Sequence, residues 1–150
     1  MTKTQFIPTT ETVKKYTEEL CEVLGKHYIK YSIDSHERML ARGESGSKYA
    51  IDKLKALKDG TEKDVITFRI EEGRKYHKVI QVEYDTFQDR NEYKDTSVHA
   101  FVDKKTGAVY KPASWKSPHT KYVRYNLLDD ENRAECFSRA DWAGGYLYLR

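Results

Sequence analysis

The sequence predicts an α+β domain, an antiparallel β-sheet with N-terminal helices packed on one face. Three observations carry this. Apolar residues recur every three or four positions as far as Gly60 and every second position after it. Short stretches rich in Gly, Asp and Lys separate the alternating segments, a pattern of hairpins rather than of parallel crossovers. The chain has 150 residues, which suits one domain, because two halves would each bury too little apolar surface. Within it a helical part is expected over about 9–59 and a β-rich part over about 64–150.

From Thr10 the series Val13, Tyr16, Leu20, Leu24 and Tyr28 forms a stripe along one side of a helix that the pattern carries to about Tyr31. Thr9 or Thr10 supplies its cap. Gly25 lies inside it at a cost of about 1 kcal/mol against alanine, so a bend or a close neighbour is expected there. "DSHERMLARG" offers Asp34 or Ser35 as a cap and Gly43 as a stop for a short second helix. "SKYAIDKLKALKDG" places Ala50, Leu54 and Leu57 on one face of a third, with Gly60 at its C-cap.

In "DVITFRI" the residues Ile66, Phe68 and Ile70 point one way. In "KYHKVIQVEYD" Tyr76, Ile80, Val82 and Tyr84 point together with Lys78 between them, and "EEGRK" joins the two strands. "SVHAFVDKKTGAVYKP" reads as a second hairpin, with Gly107 taking a positive φ in its turn. A last helix near "DDENRAECFSRADW" turns Ala134, Phe137 and Trp142 inward, and "GGYLYLR" closes as a short strand. No internal repeat, low-complexity tract or linker interrupts this order.

Hydrophobic residues make up 38% and charged residues 34%, polar for a globular chain, so part of the core role of leucine falls to twelve tyrosines. The net charge of +3 is too small for a histone-like or arm-type nucleic-acid protein. Cys21 and Cys136 fall in helical segments, in no CxxC pair and near no histidine at ligand spacing, so buried reduced thiols are expected. "MTKTQFIPTT" lacks the apolar core of a signal peptide, and no run approaches the ~18 apolar residues of a membrane span. A cytoplasmic protein with no membrane partner is expected.

Charge distribution says more than its total. Between Asp103 and Asp129 lie six Lys or Arg and no acid, so this segment carries +6 and the remainder −3. Inside it, "VYKPASWKSPHTKYVRYN" (109–126) interleaves four basic and four aromatic residues. Ammonium and guanidinium groups suit phosphates, ring faces suit a base, and Pro112 and Pro118 restrain the loop between them. The ligand-binding candidates are Lys111, Lys116 and Arg124 for phosphate, Ser114 as hydroxyl partner and Trp115 for stacking. His99, on a strand beside this segment, is a contact or general-base candidate, and Asn126 a polar contact. The competing reading makes Trp115 a core anchor under a long loop, the lysines a solvated rim, His99 an ordinary sheet histidine and Asn126 a turn former.

Other motifs are weaker. "GESGSK" (43–48) lacks the GxxxxGK[ST] spacing and follows no strand, and a helix cap at Ser45 or Ser47 explains it more simply. The five histidines never fall as HxH or HxxxH, so no metal is expected. "DDEN" and the glutamate pair at 71–72 suit a helix N-terminus and a turn. No nucleophile elbow is present and neither cysteine has an activating context, so catalysis is unsupported and no cofactor is expected.

"HAFVDKKTGAVYKPASWKSP" followed by "VRYNL" resembles a segment of small uncharacterised proteins of tailed bacteriophages, over about 97–128 and with "ADWAGGYLYLR" at the C-terminus. The resemblance implies a phage accessory protein in the host bacterial cytoplasm, and brings no activity or site residues. The leading expectation is a non-catalytic binder of a phosphate-bearing nucleotide-type ligand, such as a host defence signal to be sequestered. The pocket would be preformed and shared between the loop and a helix face or a neighbouring subunit of a homo-oligomer. The alternatives are a single-stranded nucleic-acid-binding protein and a structural or protein-interaction module, with an enzyme acting on the same ligand behind them.

Overall fold

A computed structural model describes residues 9–43 and 47–148. The fold is α+β: three α-helices and a five-stranded antiparallel sheet with its strands in sequence order. Helix α1 (Thr9–Ala41) buries Val13, Leu20 and Leu24 of the expected stripe and adds Thr17 and Cys21, while Tyr16 and Tyr28 are half-buried. Thr17 satisfies its buried hydroxyl on Val13 O, 2.7 Å away. The expected break near Tyr31 is absent, and Asp34 and Ser35 are interior helical residues rather than caps. No Gly or Pro falls between Lys26 and Ala41, Ser32 is buried, and His36 Nδ1 lies 2.7 Å from Ser32 O one turn back, so nothing stops propagation before Gly43 at φ +65°. Gly25 meets nothing within 4 Å of where a Cβ would stand, so no close neighbour explains it.

Helix α2 (Ser47–Asp59) buries Ala50 and Leu57 and ends at Gly60, φ +78°, as its sequence predicts. Strands β1 (Thr67–Glu72), β2 (Tyr76–Asp85), β3 (Glu92–Asp103), β4 (Ala108–Tyr110) and β5 (Tyr125–Asn126) follow as a meander. The even-numbered set of β2 does share one face, but the core cluster takes Val79 from the other. Ile80 is fully buried as well, so β2 is covered on both sides. The register passes from Val79↔Ala100 to Ile80↔Val98, which leaves His99 as the extra residue of a β-bulge.

The core lies between α1, the sheet and α3 (Asp130–Arg139), and joins Leu20 and Leu24 to Val79, Ala100, Val102, Val109, Leu127 and Leu147. Helix α3 turns Cys136 inward while Ala134 is exposed; Phe137 is half-buried against the cluster. Arg133 of α3 stacks 3.9 Å over the Tyr16 ring, tying α3 to α1. Trp142 packs edge-on against Tyr28, 5.3 Å between centroids, and its backbone N–H donates to His27 Nδ1. Residues 144–148 of "GGYLYLR" do not form the expected strand. Gly144, at φ +87°, turns the chain into a 3-10 turn over Gly145–Leu147 that buries Leu147. Among the described residues no helix is long and apolar enough to cross a membrane.

Candidate functional site

The basic segment is built from its turns upward. Asp103 Oδ1 accepts from Lys105 N and Thr106 N, and Gly107 at φ +75° sends the chain back as β4. Beyond Tyr110 the chain makes a further short hairpin, with a Pro112–Pro118 bridge and His119 N donating to Lys111 O at 2.8 Å. Its tip is closed by Ser114, whose Oγ accepts from Lys116 N and Ser117 N and bonds Ser117 Oγ at 3.0 Å. The Ser114 hydroxyl is therefore committed to the turn. Trp115 at this tip is 45% exposed, with Lys78 Nζ 5.7 Å from its ring centroid. It is neither a sealed core anchor nor a wall of the hollows described below.

Two hollows flank Tyr148. The first, about 570 Å³, is walled by Arg124 and Tyr125, by Asn132, Glu135 and Arg139 of α3, and by the C-terminal turn. The second, about 140 Å³, includes Lys111, Pro112, His99 and Gly144. Lys111 Nζ stands 4.4 Å from the Tyr148 ring centroid, close enough for a cation–π contact. The Arg124 guanidinium lies 5.8 Å from the Tyr122 ring, and its Nε and Nη1 are buried with no hydrogen-bond partner among the described residues. Arg139 pairs with Glu135 at 3.1 Å, and Asp141 is held by Gly145 N and Tyr146 N. Arg124 is thus the uncompensated cation of the larger hollow.

The model of a family of unknown function, DUF7717, matches residues 1–149. The chain belongs to this family. No curated protein and no solved structure matches it.

In this DUF7717 chain the seven candidate residues do not form one group. Lys111 and Arg124 come together around Tyr148, whereas Ser114, Trp115 and Lys116 occupy the hairpin tip and line neither hollow. Asn126 is a turn former: its Oδ1 accepts from Leu128 N at 2.8 Å and its N–H donates to Asn132 Oδ1, fixing β5 to α3. The bulge turns His99 into the interior, with Nε2 2.9 Å from Tyr146 Oη and the Phe68 ring 5.1 Å away. Burial pushes its pKa down to about 4, and the same burial holds the Tyr146 phenol well above its usual range.

Arg139, Tyr146 and Tyr148 were not among the residues expected at the site. For Tyr146 and Tyr148 the signal was "ADWAGGYLYLR", whose Gly-Gly pair marks a turn that its alternating Tyr and Leu disguise as a strand, whereas Arg139 lies on the last turn of α3. Both cysteines are free and buried, and burial pushes each thiol up to about 12, far from a nucleophile's range. Among the described residues no group of His, Cys, Asp and Glu could hold a metal. Asp129 caps α3 through Asn132 N, with Asp130 and Glu131 in its first turn, as expected for acids at a helix start. Of "GESGSK", residues 44–46, which include Ser45, lie outside the described residues.

Proposed function

We propose that this protein captures, without turnover, a phosphate-bearing ligand that also carries a ring, held in the hollow between Arg124, Arg139 and Tyr148. The observation that carries the reading is the Arg124 guanidinium, half-buried, with two nitrogens unpaired and no acid within ion-pair distance among the described residues. A buried charge of this kind is costly until an anion compensates it. Tyr148 offers a ring with Lys111 already stacked on it, so phosphate and base would be met by neighbouring groups. The volume of about 570 Å³ is that of a small-molecule site and leaves little room for a folded partner. The resemblance of the 97–128 segment to phage proteins supports a place in an infected host's cytoplasm, where the ligand would be a host nucleotide signal.

Single-stranded nucleic acid is the second reading, favoured by the exposed rings of Trp115, Tyr122 and Tyr148, each with a cation within 5.8 Å. Calorimetry and thermal shift against mono-, di- and cyclic nucleotides and an oligonucleotide test both. The proposal expects saturable nucleotide binding that Arg124→Gln weakens at least about tenfold, the loss typical of a charge-assisted contact, while Trp115→Ala leaves it unchanged. Steep salt dependence with oligonucleotide alone, and loss on Trp115→Ala, would transfer the function to strand binding. Silence from every ligand with folded protein would end both.

A further inference from the structure

A groove of about 980 Å³ runs between α1 and β1, away from Arg124 and Tyr148. Its floor is apolar: Ile29 and Ile33 of α1 line it together with Ile66, Phe68 and Ile70, with Gly25 leaving the middle open. Lys14 of α1 meets Glu72 at 3.8 Å, and Tyr28 lies within electrostatic reach of Asp64, so helix and strand run antiparallel along it. Among the described residues β1 is an edge strand, hydrogen-bonded to β2 on one side only. An unpaired edge beside an apolar trough is a surface that proteins ordinarily cover.

The groove's rim is charged in a particular order. Glu18 and Glu22 occupy one half and Lys26 and Lys30 the other, all four exposed, and none makes an ion pair among the described residues. Reversed end for end, acid falls on base and base on acid. The strand has the complementary property. Its apolar residues Ile66, Phe68 and Ile70 read the same in both directions about Phe68. A two-fold contact requires that each surface be its own complement, and these two patterns meet that requirement together.

We propose that the occupant of this groove is a second copy of the chain, related by a two-fold axis near Phe68, with β1 paired to β1 across the edge. That axis sets Phe68 against Phe68 of the second copy and Ile66 against its Ile70, keeping all the apolar side chains on one face. Moving the axis by one residue to Arg69 sets Ile66 against Glu72 and breaks the apolar match. Glu18 and Glu22 of each copy then face the Lys26 and Lys30 half of the other, with Gly25 and Cys21 allowing the helices to approach.

Sedimentation velocity on the full chain and two charge variants tests this. The wild type is expected to dimerise. Glu18→Lys/Glu22→Lys makes these four rim positions all basic and Lys26→Glu/Lys30→Glu makes them all acidic. Each variant alone should raise the dimer dissociation constant at least about tenfold, as like charges across an interface do, and an equal mixture of the two should recover the dimer. A wild type monomeric at every soluble concentration, variants that dimerise as well as it does, or a mixture that stays monomeric would each overturn the proposal. So would a monomer whose groove binds a long-chain fatty acid, which would give the trough to an amphiphile.

Discussion

His99 sits where the β3 bulge turns it under Phe68 and beside Tyr146, and burial lowers its pKa from 6.5 to about 4, with Asp141 opposing the shift only weakly. Between those values the unfolded chain binds a proton that the folded chain refuses. Folding is therefore fully supported by this group above about pH 6.5 and loses that support as pH falls, the loss being complete near pH 4, with a total of about 3 kcal/mol. His77 adds to the same slope: it is fully buried, neither ring nitrogen has a partner among the described residues, and burial lowers its pKa too. His99→Gln, which keeps a hydrogen-bonding group toward Tyr146, should flatten the urea-derived stability profile between pH 6.5 and 4 without abolishing it. An unchanged slope would mean that His99 is protonated in the folded protein. The sequence offered His99 as a ligand contact because strand alternation alone cannot reveal a bulge, and one inserted residue exchanges the faces of a strand.

Elements that obey local rules were legible, and those that tertiary contacts overrule were not. The Gly107 turn follows from its own sequence, since Asp103 and a left-handed glycine suffice to build it. The break in α1 was misread because cap-like residues at 34–35 have helical alternatives, and packing of α1 along the sheet and α2 decides for continuity. The glycines test this distinction. An added Cβ at Gly107 would lie 2.9 Å from Leu128 Cγ and 3.1 Å from Leu128 N, at φ +75°. Gly107→Ala should therefore cost about 1–3 kcal/mol. At Gly25 the same change meets open space inside a helix and should gain up to about 1 kcal/mol. Urea midpoints moving in opposite directions at constant m-value would bear this out; parallel shifts would show that Gly25 has a neighbour.

On the scale of the whole molecule, the site is a composite that only the closed fold brings together. Lys111 comes from the hairpin beyond β4, Arg124 from the approach to β5, Arg139 from α3 and Tyr148 from the C-terminal turn. A local cluster of charge was visible in the sequence, but its partition between a hairpin tip and a hollow depends on how residues 141–148 fold back. Leu147 anchors that return at 2% exposure, while Tyr125 Oη bonds Tyr146 O and Asp141 gathers the Gly145 and Tyr146 amides. Leu147→Ala removes a core side chain and should cost about 2–5 kcal/mol. The turn's remaining ties are few, so part of that loss should take the form of local opening. Hydrogen exchange should then quicken at the amides of Gly144, Leu147 and Tyr148 well before those of α1, and nucleotide affinity should fall at temperatures where the variant is still folded. Exchange rising equally in α1 and in the turn would mean that the C-terminal segment opens only with the entire domain, and that Tyr148 is as rigidly placed as the core beneath it.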